Sequence, residues 1–170
     1  MKKVLIIDTS ILCVYLKVPG KDTCGSDKGQ WNKQRVDNLL NKEIQKSTVF
    51  VLSLAAIIET GNHIAQAVTE HRYKIAQDLA EIILKTAKEE TPWAAFTEQS
   101  VLWDTPGLKN LAAEWPELAK QKISIGDATI KSVAEYYAKT GFTVEILTGD
   151  VGLKAYQPIS PVPTPRRRRS

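Results

Sequence analysis

The run Val4-Leu5-Ile6-Ile7, stopped abruptly by Asp8, constrains this chain more than any other stretch. Four apolar residues in a row cannot alternate between a buried face and a wet one. A strand made from them must be covered on both faces, which is the condition of a parallel sheet flanked by helices. In open sheets of that kind, ligands gather just beyond the carboxyl ends of the strands. An aspartate at that point is therefore either a turn residue or a functional one. A second run, "VEIL" at 144–147, ends in the same manner, with Asp150 closing "TGD".

Between these two runs the pattern alternates strand and helix. A short helix is predicted around residues 11–16, then a polar loop over 18–29 whose Pro19, Gly20, Gly25 and Gly29 oppose regular structure and leave it free to move. Trp31, Val36, Leu39, Leu40 and Ile44 recur at helical spacing, and "STVFVLS" reads as a second buried strand. Ser53 is placed to cap the next helix, "LAAIIETGNHIAQAV", and a further amphipathic helix runs from Tyr73 to Lys88, with Ile75, Leu79, Ile82, Ile83 and Ala87 on one side. Residues 91–121 have no clean period; Phe96–Trp103 is read as a short edge strand and Gly107–Trp115 as a helix. Trp93, Trp103 and Trp115 are read as packing anchors rather than a base-stacking platform. "SIGDATIKSVAEYYAKTG" is a strong helix with Ile130, Val133, Ala134 and Tyr137 on its core side and Gly141 as its terminator, followed by the last strand.

Composition adds bounds. A chain of 170 residues with 43% hydrophobic and 25% charged content fits one soluble domain. No stretch approaches the roughly 20 apolar residues of a membrane span, and "MKKVLII" is cut by Asp8 before a signal-like region forms, so no membrane insertion and a cytoplasmic location are expected. Cys13 and Cys24 have neither disulfide nor metal spacing; Cys13 is expected in the core. Arg166 to Arg169 account for the whole formal charge of +4, leaving a neutral body. With the proline-rich "QPISPVPTP" before them, residues 157–170 read as a disordered tail able to contact phosphate, and 1–156 as the domain.

Four acids fall where a βαβ topology would gather them: Asp8 and Asp150 past two strands, Glu59 early in the helix after the second strand, and Asp127 near a helix start. Ser124 and Asp127 also have the spacing of a capping box. Carboxylates brought close together repel unless a cation neutralises them. An all-oxygen set with no His or Cys cluster favours Mg2+ or Mn2+ over softer metals. Such ions can generate hydroxide and stabilise a scissile phosphate and its leaving oxygen, which is nuclease chemistry.

"IIDTSIL", "SLAAIIETGNH", "ISIGDATIKSVAEYYA" and "VEILTGDVGLKAY", in that order and in that strand and helix context, resemble the PIN-domain family, including the VapC-like ribonuclease toxins of bacterial toxin-antitoxin pairs. The resemblance spans residues 4–156. It implies a three-layer α/β/α sandwich around a mainly parallel sheet and metal-dependent phosphodiester hydrolysis, commonly of RNA. By position it makes Asp8, Glu59 and Asp127 the principal metal-binding carboxylates and Asp150 a fourth ligand or one acting through water. Ser10 and Thr148 correspond to hydroxyl residues that steady such a site. The implied partners are an RNA substrate, an inhibitory antitoxin and a second copy in a homodimer. The loop at 18–30, the Trp-rich 91–121 and the arginine tail depart from the compact toxins.

Two other α/β readings fit poorly. A haloacid-dehalogenase-like phosphatase needs a second Asp two residues after the first, where Ser10 stands, and a response receiver needs an acidic pair where Asp8 is followed by Thr9. The alternative that remains is a non-catalytic PIN-like module binding RNA or protein.

Overall fold

The structure, a computed structural model, describes residues 2–159. Nearly all of the expected tail, including Arg166 to Arg169, lies outside the described residues. Strand β1 (Lys3–Ile7) leads into helix α1 (Thr9–Tyr15). A hairpin of two-residue strands, β2 (Thr23–Cys24) and β3 (Trp31–Asn32), precedes α2 (Lys33–Gln45), β4 (Val49–Leu52), α3 (Leu54–Gln66) and α4 (Arg72–Ala87). A 3-10 helix (Phe96–Leu102) is followed by α5 (Thr105–Lys120), α6 (Ile125–Lys139), β5 (Thr143–Leu147) and α7 (Val151–Lys154).

The main sheet has three parallel strands in the order β4-β1-β5, with Ile7 level with Leu52 on one side and Leu147 on the other. All three carboxyl ends therefore meet at one edge. Because β1 is apolar on both faces, its alternate residues feed two cores. Leu5 and Ile7 pack with Phe50, Leu52 and Leu147 against α1, α2, α3 and α4, while Val4 and Ile6 pack with Val51, Val144 and Ile146 against α6 and α7. The fold is thus α/β with helices on both faces of a small parallel sheet, an arrangement compatible with an α/β/α sandwich. Among the described residues no helix is long and apolar enough to cross a membrane.

Local signals act as their chemistry dictates. Ser53 caps α3 by accepting from the Ala56 amide at 3.1 Å. Gly141, at φ +92°, stops α6 one residue past its C-cap Thr140. Ile130, Val133, Ala134 and Tyr137 are all buried. In α4, Ile75, Leu79 and Ile82 are buried, but Ala87 is exposed and Thr86 takes the inward position, its hydroxyl donating to the Ile82 carbonyl at 3.0 Å.

Three expectations are corrected. Residues 18–30 are not a structureless loop, since Cys24 pairs with Trp31 in the β2–β3 hairpin, and this also removes Trp31 from α2. Phe96–Leu102 is a 3-10 helix and not an edge strand. The open side of β4 is covered one step earlier in the chain, where Pro92 accepts from the Phe50 amide at 2.7 Å and Ala94 donates to the Phe50 carbonyl at 2.8 Å. Trp93 packs edge-on to Phe50 there, and the Trp115 indole donates to the Ile123 carbonyl at 3.3 Å. Within α2, Ile44 is 47% exposed while Glu43 is buried.

Candidate functional site

Asp8 follows β1 directly at the shared carboxyl edge and is buried, at 5% exposure. It is the N-cap of α1, and its backbone amide is tied to the Leu147 carbonyl at 3.0 Å. Its Oδ2 accepts from the Ser10 hydroxyl at 2.7 Å and from the Thr148 hydroxyl at 2.8 Å. Each hydroxyl also accepts a backbone amide from the turn after β5. Gly149 N–H donates to Ser10 Oγ at 3.0 Å and Asp150 N–H to Thr148 Oγ1 at 2.9 Å. The amides occupy the oxygen lone pairs, so the hydroxyl protons are directed at Asp8. A buried carboxylate held by two such donors is fixed in place.

The other acids arrive on separate elements. Glu59 sits in the second turn of α3, partly exposed, and its Oε2 accepts from the Thr9 hydroxyl at 3.0 Å. Asp127 lies in the first turn of α6, where its amide donates to the capping hydroxyl of Ser124 at 3.0 Å. Asp150 is exposed and is the N-cap of α7, accepting from the amides of Gly152 at 2.7 Å and Leu153 at 3.2 Å. Asn62 is exposed and His63 partly so, both further along α3.

Asp127 registers all three of the others. Burial pushes its carboxyl above the usual aspartate range, the Ser124 hydroxyl opposes that, and the negative charges of Asp8, Asp150 and Glu59 add to the rise. None of the four acids is paired with a Lys, Arg or His in the salt bridges among the described residues. The edge therefore carries uncompensated negative charge. Its all-oxygen donors and that charge suit a hard divalent cation. As the side chains stand, however, no three His, Cys, Asp or Glu among the described residues are grouped closely enough to hold one ion.

An open groove of about 460 Å³ runs from this edge between the hairpin and α7, lined by Gly25, Trp31, Gly149, Asp150, Val151 and Lys154 among others. Its hairpin wall is braced. Arg35 lies 3.9 Å over the Trp31 ring and donates to the carbonyls of Gly29 at 2.8 Å and Gln30 at 2.9 Å. Two participants escaped the sequence reading. Thr9 carried a signal, a hydroxyl directly after the first acid. Cys24, whose thiol is raised by burial and set against Ser10 and Asp8, carried none, because its place depends on the hairpin.

Fold and site together define a class: a parallel α/β domain with an unpaired acidic edge at the ends of its strands. A search of family models, of curated proteins and of solved structures found no significant match to the chain.

Proposed function

We propose that the chain is a PIN-like, Mg2+- or Mn2+-dependent nuclease whose substrate is RNA. The observation that carries the reading is the delivery of four carboxylates, none with a cationic partner among the described residues, by four separate elements, α1, α3, α6 and α7, to the carboxyl edge of a parallel sheet. Structural carboxylates are ordinarily paired or dispersed, because clustering them costs stability. Asp8, Glu59 and Asp127 would hold the ion, with Asp150 contributing directly or through water. When bound, the ion would neutralise the scissile phosphate and acidify a water for attack.

The chain's own residues supply positioning. Ser10 and Thr148 hold Asp8 against the edge, and Thr9 does the same for Glu59. The groove beside Asp150 offers an open path for a strand. The alternative is a binding module of the same fold, favoured by the absence, among the described residues, of a closed three-ligand set.

Hydrolysis of single-stranded RNA, structured RNA and DNA, measured with chelator and after restoring Mg2+ or Mn2+, separates the two. Metal-restored cleavage of RNA is the expected result. Asp8→Asn keeps an N-cap oxygen and should stay folded. It should nevertheless lose more activity than the roughly 10–100-fold that removing an outer partner such as Ser10 or Thr148 costs. Metal-dependent turnover by folded Asp8→Asn at the native rate would sink the assignment. Metal-independent binding without cleavage would leave the module.

A further inference from the structure

Gly126 stands second in α6, buried, with a helical backbone that any residue can adopt. Glycine is among the poorest helix formers, so its presence there needs a cause other than φ. The cause lies across the edge. A Cβ on Gly126 would fall 2.2 Å from Glu59 Oε1 and 3.2 Å from its Cδ. The carboxylate of Glu59 thus occupies the space that any other residue's side chain would fill. Its second oxygen, Oε2, takes the Thr9 hydroxyl at 3.0 Å.

Resting on the reading of the acidic edge as a metal site, we propose that Gly126 and Thr9 are positioning residues for Glu59. Gly126 is the bare surface on which one carboxylate oxygen lies, and Thr9 is the latch on the other. Together they bring Glu59 beside Asp127, one residue further along the helix, so that acids from α3 and α6 serve one ion. Neither residue contributes a ligand of its own.

The obstructing atom is the tip of a flexible side chain and not backbone, so Gly126→Ala should fold, with the Glu59 carboxylate displaced. Two independent measurements test the proposal. The first is thermal melting of Gly126→Ala in the native and in the Glu59→Ala background, in chelator. Where Glu59 is absent, alanine should raise the melting temperature, as it does in helices generally. Where Glu59 is present, the rise should be smaller or reversed. An equal rise in both backgrounds would show that the carboxylate does not lie on Gly126, and the proposal fails.

The second is calorimetric titration of Mn2+ into the native chain, Gly126→Ala, Thr9→Val and Thr9→Ser. Affinity should fall roughly 10–100-fold in the first two variants and return in Thr9→Ser, which keeps the hydroxyl. Native affinity in folded Gly126→Ala would also overturn the proposal. A native chain that neither takes up Mn2+ nor cuts RNA would overturn the nuclease reading instead, and the contact would then be decided by the melting pair alone.

Discussion

Asp127 has two duties that the chain divides between two residues. The cap of α6 is the Ser124 hydroxyl, so Ser124→Ala should cost about 1 kcal/mol of stability, whereas Asp127→Asn leaves the cap intact. The Asp127 carboxylate is instead in conflict with its surroundings, raised by burial and by three neighbouring acids. A folded-state pKa above the unfolded 3.8 means that the folded chain holds this proton more tightly. Its contribution to stability is therefore greatest at low pH and is lost as pH rises from the unfolded value through the raised one. Asp127→Asn should melt higher than the native chain at neutral pH in chelator, with a flatter profile as pH rises from the unfolded value of 3.8, as monitored by circular dichroism. A lower melting temperature would show that the carboxylate stabilises the fold. The Ser-x-x-Asp spacing made the cap legible in the sequence. The charge conflict was legible only as an inference from topology, because Asp8, Glu59 and Asp150 come from distant parts of the chain.

At the scale of elements, legibility follows length and period. The strands β1, β4 and β5 and the helices α2, α3, α4 and α6 each repeat an apolar period often enough to declare themselves. The two-residue strands β2 and β3 are too short to have one, so Trp31 was drawn into the helical pattern that begins after it. The hairpin's place is set instead by a close approach to the turn after β5. A Cβ on Gly149 would lie 2.7 Å from Cys24 Sγ and 2.8 Å from the Gly25 amide nitrogen, a backbone atom that cannot yield without moving the hairpin. Gly149→Ala should therefore cost about 1–3 kcal/mol, the usual penalty of overpacking. It should also lift the hairpin from the groove floor. Cys24 would then react faster with a thiol reagent, while Cys13, buried in the core, would not. Unchanged labelling of Cys24 in the folded variant would show that the hairpin is held elsewhere.

Across the whole molecule the sheet has two chemically opposite edges. At the carboxyl edge, four acids stand without cationic partners among the described residues. At the amino edge, Lys3 at the start of β1 bridges Glu43 from α2, at 3.0 Å, and Glu145 from β5, at 2.7 Å. Lys46 and the Thr48 hydroxyl complete the shell of Glu43, at 3.2 and 2.7 Å. Helical spacing pointed to Ile44 as the inward residue, and it is this shell that makes Glu43 the buried one. Burial by itself pushes the Glu43 carboxyl up, but the bonds from Thr48, Lys3 and Lys46 outweigh it and hold it down at about 2. A depressed folded-state value gives stability that is fully present above the unfolded value of 4.5 and is lost as pH falls towards 2. At about 1.36 kcal/mol per unit, this amounts to no more than roughly 3 kcal/mol. Acid should thus act on the two edges in opposite senses, easing repulsion around Asp127 while dismantling the network around Glu43. Glu43→Gln should lower stability at pH 7 by up to that amount and flatten the acid limb of a urea-melt series taken from pH 5 to 2, without changing Mn2+ affinity at the opposite edge. A native-like acid limb in the variant would mean that Glu43 is not the group whose protonation unfolds the chain.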